Sequence, residues 1–130
     1  MAAAAQVMPL AWSAAHVAAL APAAEASPWP MDGVGDVLGG ALLYEFTHGR
    51  AHALLAVRPV ALAGGRRLDV VGLVSDGERM QGAAIDGAAV SIARELDCQA
   101  LAMCTKRAHV VKTCARQGWE ITGMVMAKGI

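Results

Sequence analysis

Apolar and polar positions change their spacing along this chain, and the changes mark out its elements. Between residues 41 and 74, "ALLYEF", "AHALLAVRPVAL" and "RRLDVVGLV" are strand-type runs separated by "THGR" and "AGG". They predict three strands joined by tight turns, with Gly49 and Gly64-Gly65 supplying the backbone freedom. Arg58 and Pro59 should be exposed or sit at an irregularity, because proline cannot donate to a central ladder. The spacing then becomes helical: Ile85, Ala89, Ile92 and Leu96 share one stripe, while Asp86, Arg94 and Glu95 fall elsewhere. "CQALAMCT" is a short strand-type run, "RAHVVKTCARQ" a second helix stopped by Gly118, and "WEITGMVMAKGI" a last strand.

Ahead of residue 41, "AAQVMPL" suits a short strand ended by Pro9. Ser13 can cap "AAHVAALAPAA", whose Val17 and Leu20 share a face. "EASPWPMDGVGDVLGG" reads as a loop with one turn of helix, its Trp29 filling the end of the core rather than covering a pocket. By its period 2, Asp69 shares a face with Val71 and Leu73. The order predicts a single α/β (α+β) domain over residues 1–130, with a mostly antiparallel central sheet.

Composition narrows the field. The apolar fraction of 56% includes 29 alanines, and aromatics make up only 4%, so large core side chains are few. Eleven basic residues balance eleven acidic ones, which gives no overall field for nucleic acid or a membrane surface. Cys98, Cys104 and Cys114 are an odd set without C-x-x-C spacing, arguing against a disulfide framework and a metal site. The opening stretch to Ser27 lacks a basic region and is interrupted by His16, Pro9 and Pro22. It therefore reads as neither signal peptide nor membrane span, and the chain as cytosolic.

"RMQGAA" precedes the first of the two later helices. Gly82, Ala83 and Ala84 allow close approach to the unpaired N–H groups of a helix start, and Arg79 stands just upstream. By itself this is equally a helix start that needs tight packing. "LVSDGERMQGAA", with its following helix and the later "CARQGWEITGMVMAKGI", resembles the GNAT acetyltransferase family across residues 41–130. The resemblance implies helices on both faces of the sheet. It also implies that amides around Gln81–Ala84, with Arg79, hold the diphosphate of acetyl-CoA, while the strand edge at Leu73 and Val74 pairs with its pantetheine arm.

The chemistry that goes with that cofactor is thinner. The family's general acid is a tyrosine four residues before the Gly-aromatic pair, and Cys114 stands there. Asp69 is the best carboxylate base, with pairing to Arg67 as its alternative, and Glu45 is a weaker one. His48, His52 and His109 read as solvated or hydrogen-bonded residues, and the only tyrosine, Tyr44, lies on an early strand.

Two functions follow. In the first, the domain is a degenerate member acting as a structural or interaction subunit. Residues 92–130 are similar to short GNAT-like proteins encoded among virion genes of tailed bacteriophages, departing at "TKRAHV". That resemblance implies a head, tail or internal virion component in a bacterial host, with other subunits or further copies of itself as partners. Its partner surface would be the apolar first helix and the loop near Trp12 and Trp29. In the second, the domain is an active N-acetyltransferase moving an acetyl group from acetyl-CoA to an amine. The missing tyrosine tips the sequence reading toward the first.

Overall fold

A computed structural model of the protein describes residues 5–77 and 82–130. Its elements run β1 (Gln6–Leu10), α1 (Ala14–Glu25), α2 (Val34–Leu38), β2 (Leu42–His48), β3 (Ala51–Leu62), β4 (Gly65–Gly77), α3 (Gly82–Glu95), β5 (Ala100–Ala102) and α4 (Ala108–Arg116). The five strands form one sheet in sequence order, antiparallel throughout except for the parallel pair β4–β5. Two-residue turns join β2 to β3 and β3 to β4. Gly49, with φ of 62°, serves the first, and Gly65, with φ of 136°, closes the second.

Helices cover both faces. On one, Leu20 and Ala24 of α1 and Leu38 of α2 pack with Leu43, Leu54 and Ala56 of the sheet. On the other, Ala88, Ala89, Ile92 and Ala93 of α3 pack with Tyr44, Phe46, Leu55, Val57, Leu68 and Val70. The alternation along β3 is the cause: odd positions from Ala51 to Val57 meet α3, and Leu54 and Ala56 meet α1 and α2. The α3 stripe is as its spacing predicts. On α1, Leu20 is buried but Val17 is exposed, so the predicted shared face narrows to Leu20 and Ala24.

The helix ends follow from local chemistry. The Ser13 hydroxyl accepts from the His16 N–H at 3.3 Å and caps α1. In α3 the Cys98 N–H reaches the Ala93 carbonyl at 2.8 Å, with Asp97 at φ of 56° taking the left-handed position usual for glycine. Two arginines serve carbonyls. Arg58 Nη2 donates to Val37 and Gly39 at 2.9 and 2.6 Å, closing α2, and Arg107 Nη2 donates to Pro22 at 2.7 Å. Arg58 and Pro59 are half-buried beside a real irregularity of the ladder.

That irregularity corrects the predicted faces of β4. Ala56 pairs with Gly72 but Val57 with Val70, which leaves Val71 as an extra residue, a β-bulge. The parity of β4 reverses there. Leu73 packs with the α3 cluster, and Val71 and Val74 with the α1–α2 cluster. Asp69 and Val71 share a face as predicted; Leu73 lies on the opposite one.

Two further expectations change. Pro9 does not end β1 but lies inside it, opposite Tyr44, which an edge strand tolerates. Residues 119–130, expected as a last strand, belong to no strand at all. Their strand-type composition finds no strand neighbour among the described residues, and composition alone does not make a strand.

Candidate functional site

β5 pairs with β4 over three residues only, the last pair being Asp69 with Ala102. The bulge at Val71 follows at once, and a bulge bends its strand. Beyond Asp69 the edge of β4 that faced β5 has no strand partner among the described residues. Leu73 and Val74 lie on this stretch, where the sequence resemblance places the pairing with a pantetheine arm. The two strands part around a pair of cavities.

The first cavity, of about 80 Å³, lies between sheet, α3 and α4. Its lining is almost entirely apolar, from Leu55, Val70, Leu73 and Met103 beneath to Ile85 and Ala89 at the side. Cys114 of α4 also lines it. Burial first, and the Asp86 carboxylate second, push the Cys114 thiol above its ordinary pKa, so it keeps its proton at neutral pH. Trp119 closes one end: its indole Nε1 donates to Asp86 Oδ1 at 2.7 Å, tying the end of α4 to α3.

The second cavity, of about 390 Å³, opens on the other side of the splay. Trp29, Asp32 and Asp36 from the segment around α2 line it, opposite Arg67 and Asp69 of β4. Arg67 grips Asp69 with two bonds, Nε to Oδ1 at 2.6 Å and Nη2 to Oδ2 at 3.1 Å. This hydrogen bonding raises the Arg67 pKa further. Asp69 thus pairs with Arg67, as its alternative reading had it, and also lines a cavity. Each carboxylate oxygen has a second lone-pair site, so the pairing leaves acceptor capacity. Val70 and Met103 line both cavities and form the wall where they meet.

The remaining candidates separate cleanly. Arg79 and Gln81 lie outside the described residues. Gly82, Ala83 and Ala84 form the first turn of α3, where helix N–H groups have no intrahelical acceptor. The α-carbon of Gly82 faces α4: a Cβ there would come within 2.7 Å of Thr113 Cγ2. Tight helix packing therefore accounts for this glycine on that side. Glu45 pairs with His52, Oε2 to Nε2 at 3.2 Å, and lines neither cavity, nor do His48, His109 or Tyr44. Burial first, and Glu95 second, raise the Tyr44 pKa within the core. All three cysteines are free. Trp29 is corrected from core filler to cavity wall, being 54% exposed. Sequence reasoning missed Asp86, Thr113 and Met103; the first two needed the packing of α3 on α4 to be known.

Among the described residues, no group of His, Cys, Asp and Glu could hold a metal ion, and no helix is long and apolar enough to cross a membrane. No protein-family model matches the chain, and no curated protein matches it in sequence. Solved structures do. An acetyltransferase from Trypanosoma brucei superposes with a TM-score of 0.56 at 18% identity, over 98% of this chain and 100% of its own. Glucosamine-6-phosphate N-acetyltransferase from Arabidopsis thaliana superposes with a TM-score of 0.52 at 8% identity, over 98% and 99%. At such identities the likeness is one of fold: this chain has the GNAT-like architecture that those two acetyltransferases share.

Proposed function

We propose that the protein is an acetyl-CoA-dependent N-acetyltransferase. One observation carries this reading: an apolar cavity holding a protonated thiol and a polar cavity holding a carboxylate meet at Val70 and Met103, beside an open strand edge. Acyl transfer from a thioester to an amine needs those two environments side by side.

Acetyl-CoA, when bound, supplies the thioester whose acyl group is transferred. The apolar lining of Leu55, Leu73, Ile85 and Ala89 suits the methylenes of its arm, and the edge of β4 past Asp69 offers peptide groups to its amides. With Thr113 against the α-carbon of Gly82, the anion falls to the N–H groups of the first turn of α3 and to Arg79. On the other side, Asp32, Asp36 and Asp69 line the cavity with Arg58 and Arg67, and the carboxylates' excess of one charge favours a cationic amine. Asp69 Oδ receives the proton that the amine must lose, and Arg67 holds the carboxylate in place. Cys114 Sγ holds a proton within the cavity where a leaving thiolate would need one.

Calorimetric titration with acetyl-CoA tests the cofactor half, with micromolar binding expected and its loss in Arg79→Glu. Release of free thiol in the presence of small amines tests the chemistry. Asp69→Asn should lower kcat/KM by about 10²–10⁴, the usual contribution of a general base. Absence of binding at millimolar acetyl-CoA would overturn the reading. The second reading, a fold retained as an interaction subunit, is favoured by two features: Cys114 stands in the tyrosine's place, and Thr113 is packed against Gly82. It predicts neither binding nor turnover. A role in a virion draws no support from either structural likeness.

A further inference from the structure

The positive charge of this chain is unevenly placed. Between Gln99 and Trp119 stand Lys106, Arg107, Lys112 and Arg116, with no aspartate or glutamate among them. Acids and bases nevertheless balance over the whole chain. Arg107 is occupied by the Pro22 carbonyl. Lys106, Lys112 and Arg116 are exposed, and among the described residues none of them pairs with a carboxylate. Lone surface cations are ordinary, but a face of one sign that no acid answers attracts anions.

Helical spacing gathers this charge. His109, Lys112, Thr113 and Arg116 follow one another by three, one and three residues, which puts them on one side of α4. All four are exposed. Thr113 fixes where that side points, because its Cγ2 would lie 2.7 Å from a Cβ at Gly82. The cationic face therefore borders the first turn of α3, whose N–H groups lack intrahelical acceptors. Two anion-attracting features of different origin thus adjoin, the positive end of a helix dipole and a set of side-chain cations.

A ligand with a single phosphate group satisfies only one of them. Coenzyme A carries a diphosphate and, apart from it, a monoester on the ribose 3′ oxygen that bears close to two charges at neutral pH. The diphosphate takes the start of α3 in the acyl-transfer reading, which leaves Lys112 and Arg116 for the second group. An ammonium and a guanidinium, with the His109 ring beside them, suit a terminal phosphate with three free oxygens. The acyl arm gains nothing from these cations, since it is Cys114 and Gln117 of the same helix that line the apolar cavity.

We infer that the face of α4 formed by His109, Lys112 and Arg116 is a subsite for the ribose 3′-phosphate of coenzyme A, selecting coenzyme A over its dephosphorylated form. The inference rests on the proposed acyl transfer and gives its donor a discriminating contact outside both cavities.

Calorimetric titration of the full chain with acetyl-CoA and with acetyl-dephospho-CoA, at two salt concentrations, tests it. The dephosphorylated donor should bind about tenfold more weakly, as two or three exposed charge contacts would give. Its affinity should also depend less on salt. Lys112→Gln combined with Arg116→Gln should lower affinity for acetyl-CoA by the same factor and leave that for acetyl-dephospho-CoA unchanged. Because binding of the second donor serves as the internal control, a folding defect would show as a loss common to both. Equal affinities of the wild type for the two donors overturn the inference while leaving acyl transfer standing. So does a loss in the double variant that is the same for both donors. Absence of binding by either donor at millimolar concentration overturns acyl transfer, and this subsite with it.

Discussion

Trp119 and Asp86, 33 residues apart in sequence, are joined by a 2.7 Å hydrogen bond from indole Nε1 to Oδ1. This bond holds the end of α4 against the early turns of α3. Trp119→Phe keeps most of the ring and deletes the donor. Stability should fall by about 1.5–3 kcal/mol, the range for a bond to a charged group. Denaturant melts measure it, and an unchanged midpoint would mean the two helices are held by packing alone.

Gly82 and Thr113 make the second contact between these helices. A methyl group at position 82 would meet Thr113 Cγ2 at 2.7 Å. Threonine is stiff at χ1, and its Oγ1 is engaged with the His109 carbonyl at 2.9 Å, so it cannot turn aside. Gly82→Ala should cost about 1–3 kcal/mol as an overpacking change. Adding Thr113→Ser keeps the hydroxyl and removes the methyl, and should recover most of the loss in a melting experiment.

Cys114 gives a pH dependence of definite sign. Burial and Asp86 raise its pKa, so the folded chain holds this proton more tightly than the unfolded chain. The resulting stabilisation is complete below the unfolded thiol's pKa and is lost as pH rises through the folded value. Tyr44, also raised, adds a similar alkaline slope. The difference between the wild type and Cys114→Ser isolates the thiol. Because the thiolate is the reactive form, iodoacetamide should label exposed Cys104 well before Cys114, as read by peptide mass spectrometry.

Arg58 donates one nitrogen to two carbonyls at the end of a five-residue helix. Arg58→Met preserves the stem and strands the half-buried Val37 carbonyl, while exposed Gly39 turns to water. A loss of about 1–3 kcal/mol is expected from the one unsatisfied group. Hydrogen exchange should accelerate locally across residues 34–40, and unaltered exchange there would show α2 to be held by Leu38 alone.

The sheet and its helices were legible because their signals are local. Alternation, glycine turns and the Ile85–Leu96 stripe each act within a few residues. The bulge was not, since "DVVGLV" continues an apolar run through Val71 without a visible break; only its pairing with β3 reveals the extra residue. Residues 119–130 misled for the converse reason. They have a strand's side chains, and strand formation depends on a neighbour that no residue within the segment can announce. Of the candidate site, Asp69 stands out as a carboxylate in an apolar run, whereas Cys114 and the Gly82 turn were named through the family resemblance. Their sorting into two cavities depends on Val70 and Met103, ordinary core residues whose importance lies wholly in where the strands part.

Among the described residues, Val70 and Met103 alone line both cavities. Ser27, Trp29, Asp32, Asp36 and Val37 border the larger one and have no part in the smaller. Substitutions at the exposed Trp29, Asp32 and Asp36 therefore reshape one flank while the opposite flank keeps its lining. If the domain takes ligands as proposed, loop substitutions there would alter its choice among them without rebuilding the helix pair behind the sheet.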